Sequence, residues 1–255
     1  MDKKRKLILI IAAAAATVIA AAAGVLVYLF DYYPIDNEEM SKYNVVRNQI
    51  QFGGDITAYE PSGEKKYGLI FYPGAKIEYT AYAPLLSMLA DNGIVCITVK
   101  MPFNLAVFGK DSAIGLNEIY PEVEHWYIGG HSLGGAMAAD FASEVNGIEG
   151  VVLLAAYPSK DISDSPLRVL SIYGSEDKIL NLKKYEKARS KMPEDLKEHI
   201  IEGGTHSGFA CYGEQKGDGT RGISPYGQMT EAAEKITDFI YQRNDSDEDT
   251  EKAAG

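Results

Sequence analysis

The alternation of apolar and polar positions divides the chain into three parts. An uncharged apolar run extends from Leu7 to Phe30. A stretch of about 200 residues follows, in which short apolar runs alternate with helical patterns. The last segment, 244–255, is acidic and nearly devoid of large apolar side chains. As a helix the first run would span about 36 Å, against roughly 30 Å for a bilayer core. Lys3, Lys4, Arg5 and Lys6 precede it, and Asp31, Asp36, Glu38 and Glu39 follow. By the positive-inside tendency, residues 1–6 are cytoplasmic, 7–30 form a single-pass signal anchor in the cell membrane, and the rest lies outside. Tyr28, Phe30, Tyr32 and Tyr33 stand where an interfacial aromatic belt is expected. Ala21-Ala22-Ala23 resembles a cleavage site, and cutting after residue 23 would release a secreted protein. The run is longer than the usual signal-peptide core of about 7–15 residues, which favours the anchor.

In the central part the pattern predicts strands over 43–52, 56–59, 67–72, 94–100, 126–129, 151–155, 168–173 and 199–202. Helices are expected over 82–91, 112–119, 133–145, 182–191 and 229–242. Gly53-Gly54-Asp55 suits a hairpin between the first two strands. The later strands are almost continuously apolar, as in a parallel sheet covered on both faces. Strand–helix alternation with right-handed crossovers gives an α/β fold, a doubly wound and mostly parallel sheet of eight strands. Residues 31–42 read as a polar linker, 43–243 as one domain and 244–255 as a disordered tail. The stretch 157–166 contains two prolines and no apolar period, so that crossover is a loop with no inserted lid domain.

Charge and cysteine usage narrow the function classes. The formal net charge is -11, and four of the 25 basic residues lie ahead of the apolar run, so the remainder is more acidic still. Such a surface repels nucleic acid, and membrane attachment must come from the hydrophobic segment. Cys96 and Cys211 are the two cysteines, in no metal-binding arrangement. They are expected as free thiols, and no metal or cofactor is expected.

The candidate chemistry centres on Gly130-His131-Ser132-Leu133-Gly134, a G-x-S-x-G motif between an apolar strand and a small-residue helix. This context calls for a tight elbow with Ser132 at positive φ and the Leu133 N–H at a helix N-terminus, where an oxyanion is favoured. A serine nucleophile needs a base, and the base needs an orienting carboxylate, in the chain order Ser, acid, His. Asp177 follows the 168–173 strand, with Glu176 as its competitor; His206 follows the last strand in Gly203-Gly204-Thr205-His206. Of the other histidines, His131 lies inside the elbow, while His125 and His199 stand at the starts of strands, away from the site. Pro73-Gly74-Ala75-Lys76 should carry the second oxyanion donor, with the Ala75 N–H preferred over that of Lys76. Phe103 and Phe108, together with Lys76, are candidates to contact substrate.

Residues 43–243 resemble the α/β-hydrolase superfamily, most closely a bacterial branch related to dienelactone hydrolases and described as α/β-hydrolase fold-5. The matching pieces are Phe71-Tyr72-Pro73-Gly74, the segment 100–106, Gly130-His131-Ser132-Leu133-Gly134-Gly135, Gly174-Ser175-Glu176-Asp177 and Gly203-Gly204-Thr205-His206. The resemblance implies a triad of Ser132, Asp177 and His206. Dienelactone hydrolases use cysteine where Ser132 stands, so their lactone substrate does not carry over. The expected activity is cleavage of a small-molecule carboxylic ester or related acyl bond through an acyl-enzyme. The same machinery serves acyl transfer or peptide cleavage, and a non-catalytic binding scaffold is the alternative of another class. The insertion at 212–220 is expected beside the site, either shaping substrate access or inert. Oligomeric state is not legible.

Overall fold

The computed structural model describes residues 2–43 and 49–254, with 243–254 as backbone only. The chain forms two compact units, one ending at Tyr32 and the other beginning at Tyr33. The first is built on α1 (Lys3–Phe30), which has the length and apolar composition to cross a membrane and buries none of its residues. A helix that is apolar all round lacks the polar face a water-exposed helix needs.

The second unit contains eight strands in one sheet: β1 (Gln49–Phe52), β2 (Ile56–Tyr59), β3 (Tyr67–Tyr72), β4 (Ile94–Val99), β5 (His125–His131), β6 (Gly150–Leu154), β7 (Arg168–Gly174) and β8 (Leu196–Ile201). Their spatial order is β1-β2-β4-β3-β5-β6-β7-β8. The β1–β2 and β2–β4 pairs are antiparallel and all others parallel. β4 lies on one side of β3 and β5 on the other, so the winding reverses at β3. In such sheets the crevice beyond the carboxyl ends of the strands at this reversal is where ligands bind.

Helices cover both faces. The β3 side chains alternate: Leu69 and Phe71 pack on one side with α3 (Ala83–Asp91) and α6 (Pro225–Ala254), through Leu85, Leu89, Ile236 and Phe239. Ile70 and Tyr72 pack on the other with α4 (Leu133–Ala142) and α5 (Leu182–Arg189), through Ala138, Phe141, Tyr185 and Ala188. Small α4 residues let that helix approach the sheet closely. α5 starts where the Asn181 side chain accepts the Lys184 N–H at 3.0 Å, a side-chain cap for an otherwise unpaired donor.

Several boundaries differ from expectation. Of the predicted 43–52 strand, 49–52 is a strand, while 44–48 lie outside the described residues. The 112–119 segment forms two 3-10 turns, Lys110–Ala113 and Leu116–Ile119, because Gly115 takes a left-handed conformation between them. β8 begins at Leu196, so His199 sits within the strand, its Nε2 2.7 Å from Glu231 on α6. The stretch expected as a linker includes α2 (Asn37–Met40), capped by Asp36, and Tyr33, whose N–H donates to Lys76 O. The backbone of α6 continues as helix through the acidic segment expected to be disordered; no proline or glycine interrupts it there. Between β6 and β7 there is neither helix nor strand, as the prolines required.

Candidate active site

The elbow grows out of the register of the central strands. β5 runs to His131, and the Ser132 N–H continues the ladder by donating to Leu154 O at 2.8 Å. Ser132 then turns to φ 52°, ψ -123°, and α4 starts at Leu133. A non-glycine residue there is strained by about 1–3 kcal/mol. Close packing enforces the turn: a Cβ on Gly134 would lie 2.3 Å from Pro73 O and 2.4 Å from Tyr72 O. Only glycine lets the elbow seat against the loop after β3. The N-terminus of α4 brings partial positive charge to the serine.

The loops after β7 and β8 meet in the same way. A Cβ on Gly174 would fall 2.1 Å from the carbonyl of Gly204, and the Glu176 N–H donates to Gly204 O at 2.8 Å. This contact brings Asp177 and His206 together, both buried, with His206 Nδ1 2.8 Å from Asp177 Oδ2. Asp177 Oδ1 accepts the N–H groups of Ile179 and Leu180, each at 2.8 Å. With one oxygen fixed by two backbone donors, the other is aimed at the imidazole. Glu176, the competing acid, faces outward beside Lys178.

Ser132 and His206 open onto one cavity of about 360 Å³. Leu133, Ala136, Met137, Ala156 and Leu180 give it apolar walls, and Tyr157, Ser159 and Asn181 add polar groups. Phe103 and Phe108 do not line it. They form an exposed edge-to-face pair, ring centres 5.9 Å apart, on the 3-10 turns after β4. Lys76 is also absent from the walls, and its N–H is committed to Asn104 O at 2.7 Å, which removes it as an oxyanion donor. The walls come instead from the first turns of α4, the loop after β6 and the approach to α5.

Further polar groups behind the elbow escaped the sequence reasoning. The Tyr82 hydroxyl accepts the Gly74 N–H at 2.9 Å, and its oxygen lies 2.8 Å from His131 Nδ1. Burial, helped by the neighbouring His206, holds His131 well below the usual histidine range and thus neutral. Gln228 on α6 brackets Thr205, accepting its N–H at 2.9 Å and donating to its carbonyl at 2.7 Å. Cys96 and Cys211 are buried free thiols, and burial pushes Cys211 up to about 12.

Residues 68–230 match the model of the alpha/beta hydrolase family, and the chain belongs to that family. Among solved structures it is similar to Est1E from Butyrivibrio proteoclasticus, with TM-score 0.56 and 14% identity over 76% of this chain and 97% of that one. A predicted CIB-like hydrolase from Thermoplasma acidophilum is similar at TM-score 0.54 and 14% identity, over 76% and 96% of the two chains. At such identities these likenesses speak for the fold. No curated protein matches the sequence significantly.

Proposed function

We propose that this protein is a serine hydrolase of carboxylic esters, held at the outer face of the cell membrane by α1. His206 Nε2 takes the proton from the Ser132 hydroxyl as Oγ attacks the acyl carbon. Asp177 keeps the imidazole proton on Nδ1 and stabilises the imidazolium that forms. The Leu133 and Ala75 N–H groups receive the oxyanion. Collapse of the tetrahedral adduct breaks the C–O bond, and His206 returns the proton to the leaving alcohol. Water, activated by the same imidazole, then cleaves the acyl-enzyme and regenerates Ser132.

The observation that carries this reading is the buried Asp177–His206 pair, 2.8 Å apart, with His206 opening onto the cavity that Ser132 also lines. The apolar walls suit an apolar acyl group. Est1E is described with ferulic acid bound, a carboxylic acid of the kind an esterase releases. The basic residues ahead of α1 support an outward-facing hydrolase domain. Treating the full chain with a fluorophosphonate tests the chemistry. A stoichiometric adduct on wild type that is absent from Ser132→Ala is expected; labelling that ignores the substitution would overturn the proposal.

A further inference from the structure

A general base must be held by its backbone as well as by its ring partner. His206 opens a single 3-10 turn, His206–Phe209, whose preceding residue Thr205 supplies no side-chain cap. The leading N–H groups of such a turn have no partner within it. They are met by one carboxylate from the 212–220 insertion: Asp218 Oδ1 accepts the His206 N–H at 3.1 Å, and Oδ2 accepts the Ser207 N–H at 2.8 Å. Asp218 is itself anchored. Its N–H donates to Gln215 O at 3.0 Å, and Oδ1 also accepts the Gly219 N–H at 2.8 Å. Gly219 presses against the loop that carries Asp177, where a Cβ would lie 1.8 Å from Glu176 O. The insertion thus contacts both the loop of the base and the loop of its orienting acid.

We infer that Asp218 is a positioning residue for His206: its carboxylate caps the turn in trans and fixes the imidazole relative to Ser132 and Asp177. The inference rests on the proposed hydrolase function for its kinetic consequence, but the clamp itself can be read without turnover. Burial alone would raise the Asp218 carboxyl; the N–H groups of Ser207, Gly219 and His206 outweigh it and hold the group below the ordinary carboxylate range. Asparagine at 218 would keep the shape but turn its NH2 toward one of these donors. Alanine would free all three.

The test uses the full chain in detergent micelles, with Asp218→Asn, Asp218→Ala and wild type compared per fluorophosphonate-titrated site on p-nitrophenyl butyrate. A misplacement of about 1 Å costs on the order of 10²-fold in rate. Asp218→Ala is therefore expected to lose about that factor in kcat with KM nearly unchanged, and Asp218→Asn to lose less. The downfield proton resonance of His206 Nδ1–H, followed in histidine-labelled protein, should shift or broaden in both variants. An unchanged kcat per titrated site, or a loss confined to KM or to the folded fraction, would overturn the inference. Should wild type show no turnover, the hydrolase proposal fails and the resonance alone decides: an unaltered signal in Asp218→Asn sinks the clamp.

Discussion

Replacing Asp177 with asparagine probes the proposed triad because the structure dictates which way the new amide must face. Oδ1 of Asp177 accepts two backbone N–H groups, from Ile179 and Leu180, while Oδ2 meets His206 Nδ1. An asparagine oxygen that keeps both backbone donors must present its NH2 to the imidazole. The flipped amide would leave those two N–H groups facing a donor, at about 1–3 kcal/mol for each unsatisfied group. The first orientation therefore wins, and an NH2 at Nδ1 drives the imidazole proton to Nε2. That tautomer cannot accept the Ser132 proton. The same exchange of roles in a Ser-His-Asp triad lowers kcat by about 10⁴, or about 5.4 kcal/mol of transition-state stabilisation. Hydrolysis of p-nitrophenyl butyrate at pH 7.5, with folding checked by thermal unfolding, measures the effect. A folded Asp177→Asn within tenfold of wild type would refute the assignment of Asp177 as the group that fixes the tautomer.

Three other outcomes follow from the same geometry. Gly134→Ala forces a Cβ against the backbone carbonyls of Tyr72 and Pro73 and should destabilise the domain by about 1–3 kcal/mol, measured by chemical denaturation. Ala136→Leu fills part of the cavity and should shift preference to shorter acyl groups, by about 0.8 kcal/mol or fourfold in kcat/KM for each methylene excluded; esters of graded chain length report it. His131 is held neutral by burial, whereas the unfolded chain binds a proton below about pH 6.5. The stability tied to its neutral form is therefore complete above that pH and lost as pH falls below it, by up to about 1.4 kcal/mol per pH unit. Unfolding curves from pH 7.5 to 5.5 should be flatter for His131→Gln than for wild type.

The central strands are legible because they are nearly continuous apolar runs closed by turn-formers: β3 falls at the expected residues and β4 ends one residue short of them. β8 is expected too late because it is an edge strand whose first half carries charged side chains. Lys197 and Glu198 are exposed, so its first half reads as loop. At the candidate site, the elbow at Ser132 and the meeting of Asp177 with His206 followed from local chemistry and chain order. The cavity walls did not, because which loops face the serine depends on how the sheet turns around it. The aromatic pair Phe103–Phe108 was the more conspicuous sequence feature, yet Ala156, Met137 and Leu180 line the cavity. Asp218 was equally hidden, since its partners are backbone N–H groups 11 and 12 residues away. Its one sequence mark is Gly217-Asp218-Gly219, a turn-like triplet inside the insertion.

The left-handed bend at residue 132 sets fold stability against reactivity. Glycine there would adopt φ 52° without penalty, so Ser132→Gly should melt above Ser132→Ala, and above wild type, while abolishing any adduct. A descendant of this chain that kept only a binding role would drift downhill in free energy by discarding the hydroxyl. Keeping a hydroxyl-bearing side chain on so unfavourable a corner has a thermodynamic cost that the proposed bond-making would repay.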